Sequence, residues 1–166
     1  MKIKYKKLIE TAQEPTKARE GDFCYDVVAT SCEEIVPNVY KYGLGLAFEI
    51  VRDNETITFY DKKNCKNGLT IDLKNSPINI DIDFRPRSSV WKTGLILSNC
   101  EGTIDEFYRN EVCAIFYHVM PEMPIYKVGE RIGQIKLGLA LPIEFIGVDE
   151  LNMDKDRGGG FGHTGK

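Results

Sequence analysis

The 166-residue sequence contains no long apolar run. A membrane-spanning helix needs about 18 or more consecutive apolar residues, and no stretch of this chain approaches that length. The first ten residues, MKIKYKKLIE, contain lysines but lack the apolar segment of a secretory signal peptide. We therefore expect neither a membrane association nor an export signal.

Cysteine and histidine are too few and too scattered to suggest a metal site or a disulfide framework. The five cysteines are an odd number, none belongs to a C-x-x-C pair, and only two histidines are present. Zinc sites are usually built from closely spaced Cys and His ligands. We therefore predict reduced thiols in a cytoplasmic protein.

An excess of basic charge is absent as well. The 22 basic residues are interleaved with 25 acidic ones, which gives a net charge of −3. Proteins that bind long nucleic acids usually have a basic face or stripe, so we expect no such partner. A small phosphorylated ligand in a local site remains compatible with this charge.

Helical periodicity is missing, and a period of two takes its place. No apolar stripe at helical spacing continues for about twelve residues. The stretch NIDIDF, residues 79–84, alternates polar and apolar side chains, which is typical of a half-buried strand. Other runs rich in β-forming residues are separated by Gly, Asn, Asp and Pro, and they cover residues 44–51, 55–60, 69–73, 112–120, 132–137 and 142–148. The pattern predicts an all-β fold of the sandwich, barrel or jelly-roll type.

The chain divides into a main domain and a tail. Residues 1–151 are predicted to form one domain, in which residues of about 52–77 are an inserted hairpin. Residues 152–166 include five glycines and only two large apolar side chains, Met153 and Phe161. Such a segment cannot form its own core, so we expect an arm that is either flexible or docked on another surface.

Two polar stretches carry candidate chemistry. The stretch RPRSS follows the alternating strand, and there Arg87 offers a planar set of donors suited to phosphate, with Ser88 and Ser89 beside it. An ordinary polar turn explains these residues about equally well. The stretch NCEGTIDEFYRN predicts a hairpin with Asp105 and Tyr108 near its tip. Asp105 could act as a general base on water, although a lone turn aspartate more often caps its own backbone.

Two further residues are weak candidates on their own. Gln134 in GERIGQ could donate to a phosphate oxygen, and Asp26 lies at the start of a predicted strand. Each is more often structural when considered alone.

The order and spacing of five stretches is more specific than any one of them. CYDVVA, RPRSS, NCEGTIDEFYR, GERIGQ and RGGGFGHTG resemble, in this order, the five motifs of the trimeric dUTPase (dUTP diphosphatase) family. The resemblance implies a jelly-roll fold of the β-clip type and a homotrimer whose active sites are each built from three subunits. It also implies hydrolysis of dUTP to dUMP and pyrophosphate with Mg²⁺.

The resemblance implies roles for the matching residues at the hairpin. Asp105 corresponds to the aspartate that orients the attacking water. Tyr108 corresponds to the tyrosine that packs under the deoxyribose and excludes a 2′-hydroxyl. Uracil is read largely by backbone groups around Thr103, Ile104 and Cys113. Asn99, which begins the hairpin motif, is a further implied substrate-binding residue.

The remaining implied roles concern the phosphates and the metal ion. Arg87, Ser88 and Ser89 correspond to the phosphate-binding turn, and Gln134 to the amide that holds the α-phosphate. Asp26 corresponds to an aspartate that contacts Mg²⁺ through water. In the tail, the implied contacts are with uracil and the phosphates, from Arg157, Phe161, Gly162, His163 and Thr164.

Two other functions stay open as alternatives. A dCTP deaminase-like enzyme would share the fold, but it would use a glutamate well inside the strand after the hairpin, where this chain has only Glu111, at the start. A catalytically silent binding or regulatory protein could retain the same fold. We also expect that a regulatory protein could bind the 52–77 insertion of an active enzyme.

Overall fold

A computed structural model describes residues 2–52, 56–59, 69–72, 74–75 and 77–154. These residues form twelve β-strands and a single 3₁₀ helix, Ser88–Lys92. The strands are β1 (Lys2–Lys7), β2 (Tyr25–Val28), β3 (Ser31–Val36), β4 (Val39–Gly43), β5 (Leu46–Val51), β6 (Thr56–Phe59), β7 (Leu69–Asp72), β8 (Asn79–Pro86), β9 (Leu95–Leu97), β10 (Gly102–Ile104), β11 (Cys113–His118) and β12 (Arg131–Ala140). The all-β prediction is confirmed.

Two antiparallel four-stranded sheets form the body of the fold. Their strand orders are β10-β8-β12-β2 and β3-β4-β11-β9, so strands distant in sequence are paired in space. The longest register joins β8 to β12, from Gly133 opposite Pro86 to Ala140 opposite Asn79. This pairing places the two predicted motif strands side by side.

The hydrophobic core lies where the two sheets face each other. The alternation in β8 buries Ile80, Ile82 and Phe84 on one face, as the period of two predicts. Across the core, Phe84 meets Phe116 of β11 edge-to-face, with ring centroids 6.5 Å apart. Full burial of such a side chain stabilises the fold by about 1.5–3 kcal/mol. The opposite face of β8 is less exposed than the alternation suggests, because Asp83 is only 9% exposed and pairs with Lys136.

Two smaller sheets flank this body. Strand β1 pairs with β5, and Lys4 forms an ion pair with Glu49 across them at 3.3 Å. Strands β6 and β7 pair only with each other within the described chain, in register from Thr56 opposite Asp72 to Phe59 opposite Leu69. They fall inside the predicted 52–77 insertion, whose other residues lie partly outside the described ranges.

One of the strand predictions is wrong. Residues 142–148 form no strand, and Ile143 and Phe145 are 74% and 91% exposed. Strand β12 ends at Ala140, and beyond it the segment pairs with no strand among the described residues. An alternating sequence produces a strand only where a partner supplies backbone hydrogen bonds.

The described residues contain no helix long and apolar enough to cross a membrane. Four cysteines are free thiols, namely Cys24, Cys32, Cys100 and Cys113. Cys65 lies outside the described residues.

Candidate active site

The predicted hairpin residues line one cleft. Its volume is about 630 Å³, within the range of ordinary small-molecule sites. Six residues identified from the sequence meet there: Asn99, Thr103, Ile104, Asp105, Tyr108 and Cys113. The structure thus brings together the whole hairpin part of the predicted site.

The cleft opens between the two sheets. Among the described strands, β10 lies at the edge of its sheet and pairs only with β8, whereas β11 belongs to the other sheet. At its start, β11 pairs with β4 alone, because β9 begins its pairing at Phe116. An edge strand carries a row of backbone N–H and C=O groups without a strand partner. The cleft therefore presents backbone donors and acceptors along β10.

Asp105 lies in the exposed turn that follows β10. The turn is closed by the Tyr108 N–H, which donates to the Asp105 carbonyl at 3.0 Å. Within the described chain the Asp105 carboxylate has no hydrogen bond or ion pair, so it does not cap its own backbone. The carboxylate is therefore available to a water molecule or a ligand.

Tyr108 is fixed at both ends. Its hydroxyl donates to the Glu111 carbonyl at 3.0 Å, and its backbone closes the turn described above. The ring remains 41% exposed at the cleft. A planar ring held in this way provides a rigid wall for a flat or ring-shaped ligand.

Two other cleft residues, Glu111 and Cys113, interact with groups of the protein itself. The Glu111 carboxylate accepts a hydrogen bond from the Gly45 N–H at 2.8 Å. Burial raises the pKa of the Cys113 thiol, and Glu111 adds to this effect. A thiol with a raised pKa stays protonated and is a poor nucleophile, which agrees with a binding rather than a covalent role.

A second cluster of predicted residues lies in another depression. Arg87 and Ser89 line an open cavity of about 790 Å³, together with Arg131 and Tyr126. Ser88 begins the 3₁₀ helix next to them and is exposed. No residue is shared between this cavity and the hairpin cleft. Within one chain, the predicted phosphate turn and the predicted catalytic hairpin therefore line different surfaces.

Asp26 anchors this second cluster. Its Oδ1 pairs with Nε of Arg87 at 3.2 Å, and its Oδ2 accepts from Arg131 at 3.0 Å. The Asp26 side chain is only 11% exposed. One carboxylate thereby holds the two arginines side by side.

Gln134 lies next to Asp26, opposite it in the β12–β2 register. Its amide nitrogen donates to the Pro86 carbonyl at 3.3 Å, just before the Arg87 turn. The preceding Gly133 packs over the Phe84 ring, and any side chain there would clash with that ring. The glycine thus permits the close contact between β12 and β8 that places Gln134 at the turn.

The described residues contain no group of three or more His, Cys, Asp or Glu side chains that could hold a metal ion. The Asp26 carboxylate accepts a hydrogen bond from Arg131 and forms an ion pair with Arg87, and its remaining lone pairs can accept from water. This donor set fits a divalent cation whose inner ligands come from water and phosphate.

Two residues of the Arg87 cavity, Tyr126 and Arg131, were not predicted as site residues from the sequence. Tyr126 is buried, and its hydroxyl has no hydrogen-bond partner in the described part of the chain. Burial raises its pKa, and the nearby Arg87 opposes that shift. The sequence offered no signal for Tyr126, whereas Arg131 stood inside the GERIGQ stretch. The predicted tail residues Arg157, Phe161, Gly162, His163 and Thr164 lie outside the described residues.

Several proteins are similar to this chain in amino-acid sequence. The deoxyuridine 5′-triphosphate nucleotidohydrolase of Nautilia profundicola is 32% identical over 169 aligned positions, which cover 100% of both chains. That of Fusobacterium nucleatum is 33% identical over 117 residues, covering 70% of this chain and 78% of its own. No family model matches the chain.

Solved structures share the fold. The dUTPase of Staphylococcus bacteriophage 80alpha in complex with dUpNHpp aligns with a TM-score of 0.67 at 18% identity, over 99% of each chain. A variant of the dUTPase from phage phi11 of S. aureus, with a coordinated structural Mg(II) ion, aligns with a TM-score of 0.64 at 14% identity, over 91% of this chain and 99% of its own. The jelly-roll prediction is confirmed by these likenesses.

Proposed function

Because the chain belongs to the deoxyuridine 5′-triphosphate nucleotidohydrolase (dUTPase) family of hydrolases, we propose that it hydrolyses dUTP to dUMP and pyrophosphate. A water oxygen forms a bond to the α-phosphorus, and the bond from that phosphorus to the bridging oxygen of the β-phosphate breaks. The observation that carries the proposal is the hairpin cleft, which gathers six predicted binding and catalytic residues.

Asp105 acts on the attacking water. Its exposed carboxylate has no partner within the described chain, so it can accept the proton of a water placed against the α-phosphorus. Little covalent work remains for the protein, because holding the water in line with the leaving pyrophosphate supplies much of the acceleration. The fixed turn from Asp105 to Tyr108 supports this positioning role.

Uracil binds along the free edge of β10. There the backbone of Thr103 and Ile104, with Cys113 across the cleft, offers donors and acceptors that complement the uracil edge. Cytosine reverses part of this pattern, and each unpaired buried group costs about 1–3 kcal/mol. Two such mismatches give roughly 10²–10⁴-fold discrimination. Asn99 contributes a side-chain amide at the mouth of the hairpin.

Tyr108 supports the sugar. Because its hydroxyl is held by the Glu111 carbonyl, the ring cannot move aside for a 2′-hydroxyl without losing that bond. The preference for deoxyribose over ribose follows from this rigid contact.

The phosphates bind at the second cluster. Arg87, Ser88 and Ser89 supply donors, Gln134 holds the α-phosphate, and the Asp26 carboxylate keeps the Arg87 guanidinium in place. Asp26 would hold Mg²⁺ through water; the ion, when bound, neutralises charge on the phosphate oxygens. The phi11 relative, in which a structural Mg(II) is described, supports the use of this cation.

A homotrimer with shared active sites explains why the two clusters lie apart. One subunit would supply the hairpin cleft and another the phosphate turn. The exposed apolar side chains after β12 support such an assembly: Leu141, Ile143, Phe145, Ile146, Val148 and Leu151. A groove of about 790 Å³ beside β1 is lined by charged side chains and by Ile3, Tyr5, Phe23 and Tyr25, and these four offer matching chemistry for them. Light scattering should give three times the chain mass, and a monomer would refute the assembly.

The tail closes the site in this proposal. Phe161 stacks on uracil, Arg157 reaches the γ-phosphate, and Gly162, His163 and Thr164 complete the closure over the phosphates. The domain boundary near residue 151, the flexible arm of 152–166 and a cytoplasmic location with reduced thiols belong to the same proposal. A partner protein bound to the 52–77 insertion would be detected by pulldown, and would be lost when the hairpin is deleted while hydrolysis is kept.

The decisive experiment measures pyrophosphate release from dUTP, UTP, dCTP and dTTP, each with and without Mg²⁺. We expect release from dUTP alone at a substantial rate, and only with Mg²⁺. Ammonia released from dCTP without pyrophosphate would instead establish a deaminase. The geometry does not favour that alternative, because the Glu111 carboxylate is already bonded to the Gly45 N–H.

A further inference from the structure

A half-buried arginine links the catalytic turn to the end of strand β5. Arg52 follows the last residue of β5, and its guanidinium forms an ion pair with the carboxylate of Glu106, the residue after Asp105. Nε donates to Oε1 of Glu106 at 2.6 Å, and one terminal nitrogen donates to Oε2 at 2.5 Å. The two side chains are only 21% and 12% exposed.

This pair differs from the surface ion pairs of the molecule. Two parallel N–H···O bonds between a planar guanidinium and a carboxylate fix the relative orientation of the groups as well as their distance. The Lys4–Glu49 pair, on the neighbouring strands, has a single contact and is 66% and 48% exposed. Burial reduces screening by solvent and salt, so the Arg52–Glu106 pair can hold the position of a backbone turn.

The other bonds of the turn are local. Tyr108 N–H donates to the Asp105 carbonyl, and Arg109 donates to the Glu106 carbonyl at 2.5 Å. These bonds give the turn its shape, and its first residue is attached to β10, whose Ile104 pairs with Ile82 of β8. The Arg52–Glu106 pair joins residues 54 positions apart and adds a side-chain link from the far side of the turn to the end of β5.

The same guanidinium also holds the base of the inserted hairpin. Arg52 donates to the Ile78 carbonyl at 2.9 Å. Arg52 is the first residue of the predicted 52–77 insertion and Ile78 directly follows its last, so the two ends of the insertion and the catalytic turn meet at one side chain. A displacement at the base of the insertion would therefore be transmitted to Asp105.

We propose that Arg52 is a positioning residue for Asp105, that it acts through the Glu106 carboxylate, and that it couples the base of the 52–77 insertion to the active site. This inference rests on the proposed dUTP hydrolysis. It assigns to Arg52 no contact with the substrate.

The test compares Arg52→Met, Arg52→Lys and Glu106→Gln with wild-type protein and with Lys4→Met as the matched control. We expect kcat for dUTP to fall about 10- to 100-fold in Arg52→Met and Glu106→Gln, because a misplacement of about 1 Å can cost that much. The Kd for dUpNHpp should change less than threefold, which is about the effect expected of a nearby surface substitution. Arg52→Lys keeps the positive charge but not the two parallel N–H donors of the guanidinium. Its kcat should therefore lie between those of wild type and Arg52→Met.

The double variant Arg52→Met with Glu106→Gln gives a second criterion. If the two side chains act as a unit, the double variant should lose no more kcat than the worse single variant. Additive losses, or single variants as active as Lys4→Met, would overturn the inference. Equal losses of kcat and of dUpNHpp affinity would also overturn it, because they would indicate general unfolding; thermal melting of each variant identifies that case. Wild-type protein without dUTP hydrolysis would refute the proposed function instead.

Discussion

Replacement of Asp105 by Asn isolates the chemical step. Asn has almost the same shape as Asp but cannot accept a proton from water at neutral pH. Because the Asp105 side chain is exposed and has no partner within the described chain, its loss should change the free energy of unfolding by less than about 0.5 kcal/mol. The fold and the cleft should therefore survive the change.

The expected effect on catalysis is large. A positioned general base contributes roughly 10²–10⁴-fold, which corresponds to about 2.7–5.5 kcal/mol of transition-state stabilisation. Pyrophosphate release at saturating dUTP should fall by that factor, while the Kd for dUpNHpp stays within about threefold, since the shape of the cleft is kept.

The control is Glu122→Gln, which removes an exposed carboxylate on the loop before β12. It should keep wild-type turnover, melting temperature and affinity for dUpNHpp. Turnover of Asp105→Asn within about threefold of this control would refute the assignment of Asp105 as the base. A comparable loss of affinity and of turnover would show that Asp105 binds substrate rather than activating water.

Four further predictions concern the site and the fold. Tyr108→Ala should narrow the preference for dUTP over UTP, and an unchanged ratio of the two kcat/KM values would remove its role against ribose. Phe116→Ala should lower the free energy of unfolding by about 3–5 kcal/mol in urea titrations, because the ring is fully buried between the sheets; a change below about 1 kcal/mol would contradict the packing described. Burial, with a contribution from Asp83, raises the pKa of Asp81, so ionisation opposes folding as pH rises above the ordinary range of aspartate. Asp81→Asn should therefore raise the melting temperature at pH 7 but not at about pH 3, where the carboxyl is protonated in both states; equal effects at the two pH values would contradict this. Truncation after Asp156 should leave the melting temperature nearly unchanged and impair pyrophosphate release severely, whereas full activity would exclude the tail from the site.

The sequence predicted the parts of the fold whose signals are local. The alternation over residues 79–84 gave the correct core face of β8, and the hairpin stretch identified the residues that share one cleft. The strand predicted for 142–148 is wrong because a strand requires a pairing neighbour, and none of the strands in the described part of the chain pairs with this segment. Strand β1 escaped notice because its lysine-rich sequence lacks an apolar run, although Ile3 and Tyr5 alternate with lysines.

Contacts between distant residues could not be read from the sequence. Asp83 is buried in an ion pair with Lys136, and the Glu106 carboxylate is bound by Arg52, 54 positions earlier. Each of these residues looks like an ordinary surface charge in its own segment. Their partners are determined by the strand order, which places segments together that no local pattern connects.

The separation of the hairpin cleft from the Arg87 cavity has a consequence for mixtures of variants. In a shared-site trimer, a chain with Asp105→Asn keeps a sound phosphate turn, and a chain with Arg87→Ala keeps a sound hairpin. When the two inactive chains are unfolded and refolded together, some sites in the mixed assemblies combine the intact half of each. Mixing the two inactive variants would then restore part of the activity. Conversely, a defective chain expressed beside wild type would inactivate sites that it shares with its neighbours.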